Sequence, residues 1–467
     1  MPDLLLDFKK DISVIEEGDG VVMRSANSSF NLGQLSPGLV AALRQLADGG
    51  ATEDRLADIV QETADAAALP MFYYYLQQFI NMGIICYTVR ADGLPLATLV
   101  PFSTAGQLEF PHVALDQKYT LSRFAYCRHE KGRAIVETPL FPAKIILADW
   151  RSAALLGELA QPQDCNTLTK IPGISADTVR SFFSLLLTAK MLDVASATEN
   201  DTMTQWEFHD LLFHSRSRMG RHDYPSGKTH PFLDKIPPLP AVKPKMSDFS
   251  GTVRAIDLYK PDIPKLKAGD VPFTWVLEER KSIRNYGGNP ITDKQLGEFL
   301  YRSARMRALR PSMTMMECSN RPYPGGGACY ELELYLAVNT CDNIDSGLYH
   351  YCPQDHQLCH IADRNRQVEA LLKNALGSSG EDELPQVLII LAARFQRVAW
   401  DYQSMAYSII LKHVGVLYQT MYLVATAMDL APCGLGAGNA DLFATAAGTD
   451  YYAESSVGEF MLGSKGK

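Results

Sequence analysis

Two arginines and a serine at alternate positions, Arg280-Lys-Ser282-Ile-Arg284, can turn two guanidinium groups and a hydroxyl to one side of an extended segment. That is the donor set a phosphate needs. A second block, Arg321-Pro-Tyr-Pro324-Gly325-Gly326-Gly327, removes side chains from three successive positions, so that backbone N–H groups can come close to a planar ring. A third, Cys433-Gly434-Leu435-Gly436-Ala-Gly438, closes a tight turn after a long apolar stretch. A phosphate grip and a bare platform for a ring together fit a flavin nucleotide, which takes part in hydride transfer at N5 and holds negative charge around N1 when reduced.

These blocks need a scaffold, and 467 residues supply more than one domain, since domains run to about 100–200 residues. A hydrophobic content of 46% with 21% charged residues is that of a globular protein, and a net charge of −9 argues against general affinity for nucleic acid or anionic membranes. No apolar run approaches the roughly 20 residues of a membrane span, and the first residues lack a basic region followed by an apolar one, so the expected location is the cytoplasm. Nine scattered cysteines without a Cys-x-x-Cys pair read as reduced and packed.

The N-terminal half opens with strand-like residues around Glu17-Gly-Asp-Gly20, a hairpin signal. Ser36-Pro37 and Thr52 then mark two helix starts, a third helix carries Phe72, Leu76 and Phe79, and a strand follows at 84–89. The order returns with strand 134–138, a helix around 153–159, a helix capped by Ser175 and a strand at 191–194. Two winged-helix-like modules fit, over 1–97 and 98–200. A winged helix that grips duplex DNA needs a basic face, yet residues 1–90 carry six basic against twelve acidic side chains. Peptide binding on an exposed strand or helix groove is the better functional reading, with a purely architectural role as the alternative. Prolines between 225 and 264 predict an extended connector within 201–265, and the aromatic segment 206–218 before them reads as a helix docking on the catalytic domain.

From 266 to 467 the pattern is mixed α and β. Helices at 292–305 and 367–376 alternate with strands at 330–338, 347–351 and 386–392, and a long apolar helix from about 403 to 430 belongs in a core or subunit interface. Arg280-x-Ser282-x-Arg284, Arg321 to Gly327, Glu333-Leu-Tyr-Leu336, Gly347 to Tyr351, Gly415-x-x-x-Gln419 with Tyr422 to Ala425, and Cys433-Gly-Leu-Gly436 together resemble the SagB-type branch of the nitroreductase-like FMN oxidoreductases. The preceding modules look like the peptide-clamp domains of cyanobactin thiazoline oxidases.

The fold class expected is therefore α+β, a nitroreductase-like FMN domain preceded by two winged-helix-like peptide-clamp modules. The resemblance implies a homodimer with FMN between its subunits, oxidation of thiazolines or oxazolines in a precursor peptide to azoles, and reoxidation of the flavin by oxygen. It places the cofactor on Arg280, Ser282, Arg284, Pro324, Gly325, Gly326, Gln419, Gly434, Leu435, Gly436 and Lys465, although a lysine so near the C-terminus is expected on a frayed tail. The family's catalytic pair is Lys-Tyr in a Lys-Tyr-x-x-Arg-x-Tyr-Arg setting. Here the stretch is Asp401-Tyr402-Gln-Ser-Met405-Ala-Tyr407-Ser408, so Tyr402 is kept and aspartate replaces lysine. Asp401, as a partly desolvated carboxylate with a raised pKa, becomes the candidate base, with Tyr402 orienting the ring and Lys412 and His413 as weaker candidates. The bland alternative is that Asp401 and Tyr402 simply begin a helix.

Two other enzyme and scaffold readings compete: a nicotinamide-driven nitro- or quinone reductase, which would not need the N-terminal half, and a non-catalytic peptide scaffold. His350, Cys352, His356, Cys359 and His360 could hold zinc, but the turn between two strand-like runs favours a surface hairpin and no metal.

Overall fold

The computed structural model describes residues 4–18, 20–25, 29–62, 68–102, 108–310 and 316–466, and the chain divides into two compact units at Tyr224/Pro225. In the N-terminal unit the predicted hairpin is Ser13–Glu17 paired antiparallel with Gly20–Arg24, its turn residue Asp19 lying outside the described residues. Helices Pro37–Ala47, Glu53–Gln61, Ala68–Asn81 and Ala176–Thr188 follow the apolar spacing. Thr52 caps the second through the Arg55 N–H and Ser175 caps the last through the Thr178 N–H, whereas Ser36 occupies the cap position without a side-chain bond.

The two expected modules are not separate bodies. One seven-stranded sheet runs Ala51–Thr52, Leu5–Phe8, Ile85–Ala91, Leu94–Pro101, Ala143–Leu147, Arg133–Glu137, Tyr126–Glu130, so the boundary expected at 97/98 cuts the strand that joins them. Leu94–Pro101 pairs with Ile85–Ala91 on one side and Ala143–Leu147 on the other. A repeated order of elements made the halves look independent, but each would leave an open sheet edge, and merging the edges satisfies both. A single apolar core from Leu4 to Leu192 underlies the whole.

Inside this unit the Glu137 side chain is only 1% exposed and gathers four donors: Arg128 Nε at 2.9 Å, Tyr126 Oη at 2.7 Å, Tyr224 Oη at 2.9 Å and Arg216 Nη2 at 3.0 Å. Arg216 ends the helix Phe208–Arg216, and Arg123 bonds the carbonyls of Met203 and Trp206 just before it. The segment 206–218 is thus held to the N-terminal unit, to which it belongs. Its anchor is the Arg216–Glu137 pair, which sequence spacing does not reveal.

The C-terminal unit is built on a second seven-stranded sheet, ordered Ala255–Asp257, Gln357–Asp363, Gly347–Cys352, Leu332–Val338, Val387–Arg394, Glu454–Ser464, Leu430–Leu435, all neighbours antiparallel. Its central strands are buried on both faces, and alternation sorts their side chains. Leu332, Leu334, Leu336, Ile389 and Leu391 pack under helices Asp293–Ala304 and Ala406–Ala427. Tyr335, Ala337, Leu388 and Ile390 face Arg366–Ser379 and Ala440–Ala447.

The 22-residue helix Ala406–Ala427 is long and apolar enough to cross a membrane by length and composition, contrary to the expectation of no such run. Ile409, Ile410, Val414, Leu417, Met421 and Ala425 nevertheless form one stripe in the core. The His350–His360 hairpin forms as expected but is buried, not superficial, because it supplies two inner strands of the sheet. Its histidine nitrogens are taken: His350 Nε2 by Glu333 at 3.2 Å, His356 by Tyr351 and the Tyr259 carbonyl, His360 by Arg254 and Asp363. Lys465 is not on a frayed tail, since it forms a β-bridge with Tyr286 and its ammonium sits 2.7 Å from Asp429.

Candidate active site

The glycine block leaves the strand Cys318–Asn320 and passes over the first turns of the long helix. The Gly326 N–H donates to His413 Nε2 at 2.6 Å, while His413 Nδ1 lies 2.8 Å from Glu331 Oε1. Because Nε2 accepts from an N–H and Nδ1 faces a carboxylate, the proton sits on Nδ1. A Cβ at Gly326 would come within 3.2 Å of His413 Nε2, and one at Gly327, whose φ is +63°, within 2.9 Å of the Tyr402 hydroxyl. Glycine is thus demanded here by the side chains that press on the loop from the protein side. Of the backbone N–H groups expected to come close to a ring, that of Gly326 is spent on His413.

Tyr402 follows the short helix Phe395–Ala399 and pairs, with Gln403, against Gly227–Lys228 of the proline-rich connector. Asp401 beside it has no exposed surface; Lys228 Nζ lies 3.3 Å from its Oδ2 and His230 Nδ1 3.0 Å from its Oδ1. The site therefore contains an ammonium next to Tyr402, contributed by a residue over 170 positions earlier in the chain. Burial pushes the Tyr402 phenol above its ordinary pKa, helped by Cys329 and Asp401, and Lys228 is the group that works against the shift. Burial alone would lower Lys228, but Asp401 outweighs it and keeps the ammonium charged beyond its usual range. Of the weaker candidates, Lys412 is exposed on the helix and His413 is buried under the loop.

Further along the same helix the phosphate-type residues converge on Tyr422. Ser282 Oγ lies 2.8 Å from the Tyr422 hydroxyl, the Gly434 N–H donates to that hydroxyl at 2.7 Å, and the Arg280 guanidinium stands 5.4 Å over its ring. The Ile283 N–H bonds the Pro432 carbonyl at 2.8 Å, which ties the arginine segment to the strand that ends in Gly434 and Leu435. Arg284, Gln419 and Gly436 are exposed, and Leu435 is buried. Pro324 and Gly325 stay with the glycine loop, where a Cβ on Gly325 would meet Tyr330 at 3.2 Å. His413 and Tyr422 are nine residues apart, about 13 Å along a helix. The Arg280 guanidinium and the exposed Arg284 are of the type that grips a nucleotide phosphate, while the Ser282 hydroxyl and the Gly434 N–H are engaged by Tyr422. The cavity bordered by Lys281, Ile283, Thr426 and Lys465 encloses only about 40 Å³, against the ~300–1,000 Å³ of a cofactor pocket.

Comparison with known proteins gives three matches in series. The ThcOx helix turn helix domain covers residues 1–110, cyanobactin oxidase ThcOx residues 119–223, and the nitroreductase family residues 277–464. The protein named Putative nitroreductase MJ1384 of Methanocaldococcus jannaschii is 30% identical over 182 residues, 39% of this chain and 84% of that one. The Microcin B17-processing protein McbC of Escherichia coli is 32% identical over 116 residues, 24% of this chain and less than half, 42%, of that one. Among solved structures, the E. coli microcin synthetase McbBCD complex with truncated pro-MccB17 bound aligns at a TM-score of 0.35 and 22% identity, covering 40% of this chain and 70% of the other. Members of the nitroreductase family typically bind flavin. With a nitroreductase domain behind two segments that match the ThcOx models, the chain belongs to the nitroreductase family and is an oxidoreductase.

Proposed function

We propose that the chain is an FMN-dependent oxidase that converts thiazolines and oxazolines of a ribosomally made precursor peptide into thiazoles and oxazoles. The observation that carries this reading is the convergence of Arg280, Ser282 and Gly434 on Tyr422, further along the helix that the bare loop Gly325–Gly327 crosses. Arg280, Ser282, Arg284, Gln419, Lys465 and the turn Gly434–Leu435–Gly436 would hold the FMN phosphate and ribityl chain, and Pro324, Gly325 and Gly326 would border its ring. FMN supplies, when bound, the acceptor for a hydride from the azoline ring. Asp401 and Tyr402 mark the proton-handling corner of this proposal. The small cavity of the single chain and the exposed apolar Phe273, Trp275 and Leu277 favour a homodimer that encloses the cofactor. In the N-terminal unit, a trough of about 780 Å³ on the sheet face opposite the helices, edged by Lys9, Lys131, Arg133 and Lys144, is the proposed seat of the extended precursor peptide.

Anaerobic mixing of the yellow protein with an azoline peptide is expected to bleach the flavin while the peptide loses two mass units. NADH oxidation without any peptide would instead support a diffusible-substrate reductase, and a colourless chain that takes up no FMN would support a scaffold. Arg280→Ala and Arg284→Ala are each expected to weaken FMN retention about 10- to 100-fold, the loss of one charge-assisted contact, as read by flavin titration against protein fluorescence. Unchanged affinity in both variants would place the phosphate elsewhere.

A further inference from the structure

The connector leading into the C-terminal unit wraps around Asp401. Besides the ladder of Gly227–Lys228 with Tyr402–Gln403, the N–H groups of Thr229 and His230 donate to the Asp401 carbonyl at 3.1 and 3.2 Å. The segment is thereby folded back over the carboxylate, with His230 held at a φ of +48° and its ring edge-on to Trp400 at 5.9 Å. Such a backbone conformation is rare for a residue with a Cβ and is kept where the surroundings impose it.

Exposure divides the roles. Asp401 is fully buried and cannot meet a peptide substrate, whereas 23% of the His230 side chain and 40% of the Lys228 side chain face outward. Asp401 Oδ1 and His230 Nδ1 are both shut off from solvent and stand 3.0 Å apart, close but not aligned as a hydrogen bond, while Lys228 Nζ stands at the other oxygen; the carboxylate is placed to hold both groups, leaving the far imidazole nitrogen as a proton acceptor.

We propose, resting on the azoline-oxidase reading, that His230 takes the Cα proton of the substrate, that Lys228 is the cation beside Tyr402, and that Asp401 is the positioning residue holding both. The Cα–H bond breaks heterolytically and its proton passes to His230 Nε2. Its electron pair becomes the new ring double bond, and one hydrogen of the adjacent carbon leaves with two electrons as the hydride assigned above to flavin. One proton and one hydride account for the two hydrogens by which azoline and azole differ.

The other groups facing this corner are Lys228, Asp401, Tyr402 and Cys329, whose Sγ is 3.9 Å from Asp401 Oδ2. Burial pushes the Cys329 thiol up to about 12, burial also lifts Tyr402, and Asp401 keeps Lys228 protonated. An imidazole is the side chain whose ordinary chemistry changes charge between pH 5 and 8.

The test is the rate of anaerobic flavin bleaching by an azoline peptide across that pH range, in the FMN-loaded full chain. His230→Asn keeps an N–H for Asp401 and removes the basic nitrogen. It is expected to lower the rate about 100-fold or more and to abolish its rise with pH. Added imidazole is expected to restore part of the rate in His230→Gly. Lys228→Met is expected to slow bleaching, with Lys228→Arg recovering most of it. In the flavin-free chain, a downfield imidazole N–H proton resonance is expected in the wild type and absent from both His230→Asn and Asp401→Asn. Wild-type rate and pH profile in His230→Asn, or absence of that resonance from the wild type, would overturn the assignment of His230 while leaving the azoline reading intact. A yellow wild-type chain that no azoline peptide bleaches would sink the azoline reading instead, and the resonance would still report whether Asp401 holds His230.

Discussion

Replacement of Tyr402 by phenylalanine is expected to slow azoline-driven bleaching by about 100-fold or more, within the 10²–10⁴ range of a positioned proton-transfer group, with flavin content unchanged. The ring would stay where it is, since its packing against the core and its ladder with Lys228 do not involve the oxygen. Only the hydroxyl is lost, and that hydroxyl is the atom a Cβ on Gly327 would strike at 2.9 Å, which places it against the glycine loop. Stopped-flow absorbance under argon measures the effect. Equal rates for Tyr402→Phe and wild type would reduce Tyr402 to its structural place in the ladder with Lys228.

The largest stability effect is expected far from that loop, at Glu137. Glu137→Ala would leave Arg128 and Arg216 facing each other around a vacated site, and breaking a buried ion pair on one side costs about 3–5 kcal/mol. For a unit of this size the melting transition of the N-terminal half should fall by roughly 10 °C in calorimetry. The same cluster sets a pH dependence. Burial pushes the Glu137 carboxyl up, but hydrogen bonds from Arg128, Tyr126 and Tyr224 and the charge of Arg216 outweigh burial and leave it below its ordinary value. A depressed folded-state pKa stabilises above the ordinary carboxylate range and is lost as pH falls through the folded value. Acid should therefore loosen the wild-type unit once pH falls below the ordinary carboxylate range, and this step should vanish in Glu137→Ala. An unchanged melting profile in the variant would mean that the two arginines find other partners at no cost.

Local patterns carried the C-terminal fold well because they report local physics. The apolar runs 330–338 and 386–392 read as strands, which the structure has at Leu332–Val338 and Val387–Arg394 with both faces covered, and the helix read from 292 starts at Asp293 behind the Thr292 cap, whose partner Gln295 is three residues on. The flavin-type blocks were legible because glycine and paired arginines are unusual where they stand, and the structure brings Arg280, Ser282 and Gly434 together on Tyr422. Tyr422 itself carried only the weak signal of lying three residues beyond Gln419. Lys228 and His230 carried none, because they sit among prolines in a connector and reach Asp401 by a two-residue ladder that no periodicity announces. The shared sheet of the N-terminal unit was missed for a similar reason: order of elements repeats in sequence, but pairing between Leu94–Pro101 and Ala143–Leu147 is a long-range choice.

Glu454–Ser464 lies between Val387–Arg394 and Leu430–Leu435, two strands synthesised before it. While the ribosome is still making residues 436–453, those two strands have no partner on the sides they will eventually share, and they are among the most apolar in the protein. Closure of the flavin-type domain is thus a late event in translation.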